Sequence, residues 1–89
     1  MKNLINISNV FVMILNEFIE KFAFQFDDTP IDDILAGTVY EDLEEWSSLT
    51  ALSIIAMVDQ DYNVGIGAKE ITESTTVEGL FNTIIQLRK

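Results

Sequence analysis

The chain has 89 residues, fifteen acidic and five basic, with neither histidine nor cysteine, for a formal charge of −10. That composition excludes disulfides, thiolate nucleophiles, cysteine zinc sites and imidazole general bases, and a single domain of this size (residues 1–89) has no room for a deep cleft between lobes. All fifteen acids fall between Glu17 and Glu78, opposed there only by Lys21 and Lys69, so no nucleic acid and no membrane insertion is expected, and basic protein surfaces are the natural partners.

With 48% hydrophobic residues the chain has ample apolar surface for a core, so a folded acidic domain is expected rather than a disordered tail. At the N-terminus Lys2 precedes an uncharged run, but its unbroken apolar part, Val10 to Leu15, is shorter than a signal-peptide core and far below the ~20 residues of a membrane span. A soluble, cytoplasmic chain is expected, with residues 1–8 frayed.

Phe11, Leu15, Phe18, Phe22 and Phe26 recur at helical spacing, with Ile14 and Ile19 widening the stripe. This predicts a first helix over about 9–26, capped by Ser8 or Asn9 and ended by Asp27, Asp28, Thr29 and Pro30. Residues 27–47 form a long acidic connection with Asp32, Asp33, Glu41, Asp42, Glu44 and Glu45, a helical turn at residues 31–36, and Tyr40, Leu43 and Trp46 as anchors to the core. A second helix runs from Ser47-Ser48-Leu49 to about Tyr62, with Leu49, Leu52, Ile54, Ile55, Val58 and Tyr62 as its apolar stripe. Ser47 suits the N-cap, which places Ser48 at the first helical position beside the positive end of the dipole, where phosphate is welcome. Gly65 and Gly67 break the chain, residues 68–73 make a short third helix, and Thr75-Thr76-Val77-Glu78 has a capping-box pattern ahead of a fourth helix carrying Leu80, Phe81, Ile84, Ile85 and Leu87. The fold class is therefore all-α, a small four-helix bundle with a long loop between helices 1 and 2 and a short third helix.

Serine is the nucleophile type that remains, with no histidine to deprotonate it, and Lys2, Lys21, Lys69 and Lys89 stand in no context that points to a Ser-Lys pair. The many carboxylates read as solvated charges rather than glycosidase pairs. A serine modified by another enzyme fits better, and the chain is expected to be no enzyme itself.

The run from Glu45 to Val64, EWSSLTALSIIAMVDQDYNV, resembles the second helix of the acyl carrier protein family, whose signature is Asp-Ser-Leu opening that helix. Ser48 matches the signature serine, Tyr62 its aromatic and Val64 its valine; Ile66, Thr75-Thr76-Val77 and the aliphatics of the fourth helix continue the match without a gap, and Val39 and Leu43 match the apolar pair upstream. The resemblance implies a bundle of the acyl-carrier type in which Ser48 receives 4′-phosphopantetheine from coenzyme A and acyl groups ride as thioesters on its thiol. A phosphopantetheinyl transferase, and acyl-transferring or acyl-activating enzymes with basic docking surfaces, are the implied partners of a monomeric carrier. Docking is expected on Leu49, Leu52, Ile55, Ala56 and Asp59, with Asp42, Glu44 and Glu45 adding charge from the loop.

Two departures are visible. Ser47 stands where the family has aspartate, keeping a capping oxygen and losing a charge, and the gapless match of Leu49 through Val77 selects Ser48 over Ser47 for modification. Thr50 and Ser53 replace carboxylates common along this helix. Two other readings compete: an acidic interaction module without modification, and a calcium loop over residues 59–70 using Asp59, Asp61, Asn63, Ile66 and Glu70, in which Val64 occupies the position that requires glycine.

Overall fold

The computed structural model describes residues 7–88, with side-chain surroundings from Val10 onward; residues 1–6 and Lys89, and with them most of the segment expected to fray, lie outside the described residues. Residues 7–9 are already helical, so neither Ser8 nor Asn9 is the expected N-cap. Four helices are present and no strand among the described residues: α1 (Ile7–Ala23), α2 (Ser48–Tyr62), α3 (Ala68–Ser74) and α4 (Val77–Leu87). α4 packs on α3 and α1, and α1 also meets α2.

The α1 stripe does what its spacing predicts at Leu15, Phe18 and Phe22, which are buried, while Phe11 and Ile14 are exposed. Phe18 sits at the centre of an aromatic cluster, its ring centroid 5.4 Å from Phe81, 5.7 Å from Tyr62 and 6.0 Å from Phe22. The helix ends at Ala23, three residues earlier than expected. Its last turn tightens through Gln25 and Phe26 N–H groups donating to the carbonyls of Phe22 and Ala23, which still delivers Phe26 to the core.

Residues 24–47 are irregular apart from two 3-10 turns, Ile31–Asp33 and Tyr40–Asp42. The loop is held by rings: Tyr40 is fully buried, 5.0 Å from Trp46 and 5.6 Å from Phe22, and Trp46 lies 6.4 Å from Phe26. The Tyr40 hydroxyl donates to the Ile71 carbonyl, so one side chain ties the loop to α3. The loop also caps α4, because the Val77 and Glu78 N–H groups donate to the carbonyls of Thr38 (3.1 Å) and Ala36 (2.9 Å).

The start of α4 differs from the expected capping box. Thr76, not Thr75, is the N-cap and accepts from Gly79 N–H, so Glu78 falls one place short of the reciprocal position. Thr75 instead takes φ 70° and ψ −56°, the centre of a γ-turn in which Thr76 N–H donates to the Ser74 carbonyl at 2.7 Å. A β-branched residue is strained there. Of the apolar residues that α4 carries, Val77, Leu80, Phe81 and Ile84 are buried, while Ile85 and Leu87 are exposed.

Candidate functional site

The site is built at the junction of the long loop and α2. Ser47 has extended backbone and its Oγ accepts from Thr50 N–H at 3.3 Å, the cap its position predicts. Its hydroxyl is thereby engaged, also lying 3.3 Å from Thr50 Oγ1. Ser48 is the first helical residue and exposed. Both adjacent serines are exposed; Ser47 commits its hydroxyl oxygen to the helix backbone, while the Ser48 hydroxyl makes no hydrogen bond among the described residues.

Beside Ser48 lies a groove of about 440 Å³ between α2, α3 and the loop. Its apolar walls are Trp46 from the loop, Ala51, Leu52 and Ile55 from α2, and Ala68 and Ile71 from α3, with Glu41, Ser47, Ser48 and Thr72 as polar members. Leu52 and Ile55, read from sequence as docking residues, therefore border this groove, and Leu52 is 61% exposed. Leu49 is 74% exposed and Ala56 is exposed, but neither borders the groove; they open on the side of α2 that faces the end of α1. Asp59 is exposed on the last turns of α2, and Asp42 and Glu44 are exposed on the loop.

Glu45 has a different place from the free docking charge expected of it. Its carboxylate is folded against residues 27–29, accepting N–H bonds from Asp27 (2.7 Å), Asp28 (3.1 Å) and Thr29 (2.8 Å) and the Thr29 hydroxyl at 2.6 Å. Those donors, the Thr29 hydroxyl foremost, hold its carboxyl below the ordinary glutamate range. One acid thus closes the turn after α1 onto the residue before Trp46. The sequence carries no local sign of this pairing, because its partners lie 16 to 18 residues away.

The residues of segment 59–70, read as a competing cation loop, have places in the fold. Asp59 and Asp61 lie within α2, Tyr62, Val64 and Ile66 are buried, and Asn63 is the left-handed C-cap of the helix at φ 58°. Lys21 pairs with Asp61 at 3.3 Å, and the Glu70 carboxylate accepts from Gly67 N–H at 2.8 Å at the start of α3, which lowers its pKa. Among the described residues no three histidine, cysteine, aspartate or glutamate side chains converge as a metal site would need. No described helix is long and apolar enough to cross a membrane.

Sequence reading passed over Phe24. It lies one place past the end of α1, off the 3-4 stripe, and is 86% exposed. Its departure from the stripe was the available signal.

Comparison of the chain with protein-family models, with curated proteins and with solved structures finds no match.

Proposed function

We infer that this chain is an acyl carrier protein, modified on Ser48 with 4′-phosphopantetheine taken from coenzyme A by a phosphopantetheinyl transferase. The observation that carries the reading is the pairing of an exposed Ser48 at the first turn of α2 with the apolar groove that opens beside it. The residues fit the group. The N-terminal N–H groups of α2 favour a phosphodiester at Ser48, and no residue between Trp46 and Val58 is ionisable, although Glu41 sets one carboxylate in the lining of the same groove. The first turn carries no acid; Ser47 in the place of the family's aspartate is the one departure that speaks for an unmodified interaction module instead. When attached, the arm supplies the thiol that a chain without cysteine lacks, so that acyl groups can be held as thioesters.

The roles of the chain's own residues follow from their placement. Ser47 holds the helix start in register, Ser48 offers the hydroxyl, and Leu52, Ile55 and Ile71 give an acyl chain apolar wall to lie against. Ser48 exchanges its hydroxyl proton for the phosphopantetheinyl group, with the remainder of coenzyme A leaving; the base belongs to the transferase, since this chain has no histidine. Fatty or related acyl cargo suits the apolar walls.

Intact mass after incubation with coenzyme A and a promiscuous transferase tests the reading. One phosphopantetheine adduct is expected on the wild type and on Ser47→Ala, and none on Ser48→Ala. An unmodified wild type, under conditions that load a control carrier, would leave an acidic interaction module as the better description.

A further inference from the structure

The first turns of α1 have the composition of a core helix and the surroundings of a surface one. Residues 7–16 carry no charge, and Phe11, Val12, Met13 and Ile14 follow one another at about 100° per residue, so they circle the helix. A helix apolar on every side is normally covered on every side. Here the bundle takes hold of one side, where the Phe11 ring meets Phe81 of α4 edge-on at 5.6 Å. All four side chains stay exposed, Val12 by 50% and Met13 by 69%. α4 extends the patch with Ile85, one turn beyond Phe81 and also exposed, and carries no charge from Gly79 to Leu87.

The patch lies far from the candidate site. Phe26, just past α1, packs on Trp46 beside the start of α2, and Phe18 packs on Tyr62 at its end. Phe11 is two turns further from Ser48 again.

Charge decides what can cover such a surface. All fifteen acids lie between Glu17 and Glu78, so both uncharged stretches that form the patch avoid carboxylates. The run on α1 stops at Glu17 and the run on α4 at Arg88, one charge of each sign. A basic partner gains nothing from this end, and a net charge of −10 drives the chain away from anionic lipid. Two copies meeting over the acidic span would set carboxylates against carboxylates, whereas two copies meeting here would not. A neutral apolar surface is the fitting cover, and a second copy offers the same patch, as a two-fold contact requires.

We propose that the chain pairs with a second copy through Phe11, Val12, Met13 and Ile14 of α1 and Ile85 of α4, in a two-fold dimer that leaves the Ser48 end of each copy free. This departs from the monomer that the resemblance implies, and it stands whether or not Ser48 is modified.

Sedimentation equilibrium of the full chain from about 10 µM to about 1 mM tests it, with amide shifts followed over the same dilution. The mass is expected to climb toward that of a dimer, with shifts centred on residues 11–14 and 85. Raising sodium chloride from about 10 to about 500 mM is expected to tighten pairing severalfold, because salt screens the repulsion between the two acidic bodies. Met13→Glu sets like charges in the contact from both sides, at a position largely exposed in the single chain. It is expected to abolish pairing up to about 1 mM while leaving the unfolding midpoint in place. Val12→Ser, which adds no charge, is expected to weaken pairing about threefold to tenfold. A constant monomer mass, pairing that weakens with salt, shifts centred on α2, or a Met13→Glu or Val12→Ser chain that pairs like wild type would each overturn the proposal. Sedimentation of the monomeric chain with neutral phosphatidylcholine vesicles would make lipid the cover and overturn it equally. The presence or absence of a phosphopantetheine adduct bears on the carrier reading alone.

Discussion

Glu45 is half-buried, yet it receives three backbone N–H groups and a hydroxyl, a role that depends on its being ionised. Its folded pKa is depressed below the ordinary 4.5, so its contribution to stability is complete above that value and is lost as pH falls through the lower one. A carboxyl titration by NMR is expected to give Glu45 a midpoint below 4.5; a midpoint at or above it would contradict the observed ring of donors. Glu45→Gln, which puts an amide donor among donors, is expected to lower the melting temperature and move the amide signals of Asp27, Asp28 and Thr29. Tyr40 works in the opposite pH range. Burial, reinforced by the Glu41 charge, pushes its hydroxyl from 10.0 up to about 12. Unfolded tyrosine then loses its proton first, so stability falls as pH rises above 10. Tyr40→Phe is expected to abolish that alkaline component while costing about 1–3 kcal/mol at neutral pH, because the Ile71 carbonyl loses its donor. Alkaline denaturation curves of the two proteins make the comparison.

Helix starts carry the consequences at the scale of elements. α2 and α4 begin alike, with Ser47 and Thr76 each accepting an N–H three residues on. Ser47→Ala is expected to cost about 1 kcal/mol by denaturant unfolding, whereas Ser48→Ala, exposed and not part of the cap, is expected to stay within about 0.5 kcal/mol of wild type. That contrast separates the capping serine from the serine proposed for modification, and equal losses would undo the distinction. The turn between α3 and α4 is closely packed at Gly79. A Cβ at Gly79 would run into the Ser74 carbonyl, the same oxygen that accepts in the γ-turn around Thr75. Gly79→Ala is expected to destabilise by about 1–3 kcal/mol despite the better helix propensity of alanine, since the obstacle is backbone rather than a movable side chain.

At the scale of the whole molecule, the formal charge of −10 opposes compaction. One long-range ion pair, Lys21 with Asp61, is found among the described residues, and it is partly exposed; a pair of that kind contributes little. Screening is therefore expected to dominate, and the melting temperature should rise as sodium chloride goes from about 10 to about 150 mM. A fall over that range would mean that attractive pairs outweigh the repulsion.

The four helices, the Ser47 cap and the anchoring by Tyr40 and Trp46 were legible in the sequence because they follow from local patterns: apolar residues at helical spacing, a hydroxyl one turn before an N–H, aromatics in a polar loop. The first-position placement of Ser48 came with them, and with it the core of the candidate site. What was not legible depends on pairs distant along the chain. Thr76 rather than Thr75 caps α4 because the carbonyls of Ala36 and Thr38 arrive to receive its first N–H groups. Glu45 turns inward because the end of α1 delivers unpaired N–H groups to it. Phe24, Ile85 and Leu87 show the reverse limit, since hydrophobic identity alone does not say which faces the packing of α1, α2 and α4 leaves uncovered. Local hydrogen bonding and periodicity act within a turn or two of helix, so the sequence by itself determined the elements and the place of Ser48 at the start of α2. Which carboxylates are free, which apolar faces meet water, and which side of α2 lines the groove are properties of neighbours brought together by folding, and only the tertiary structure decided them.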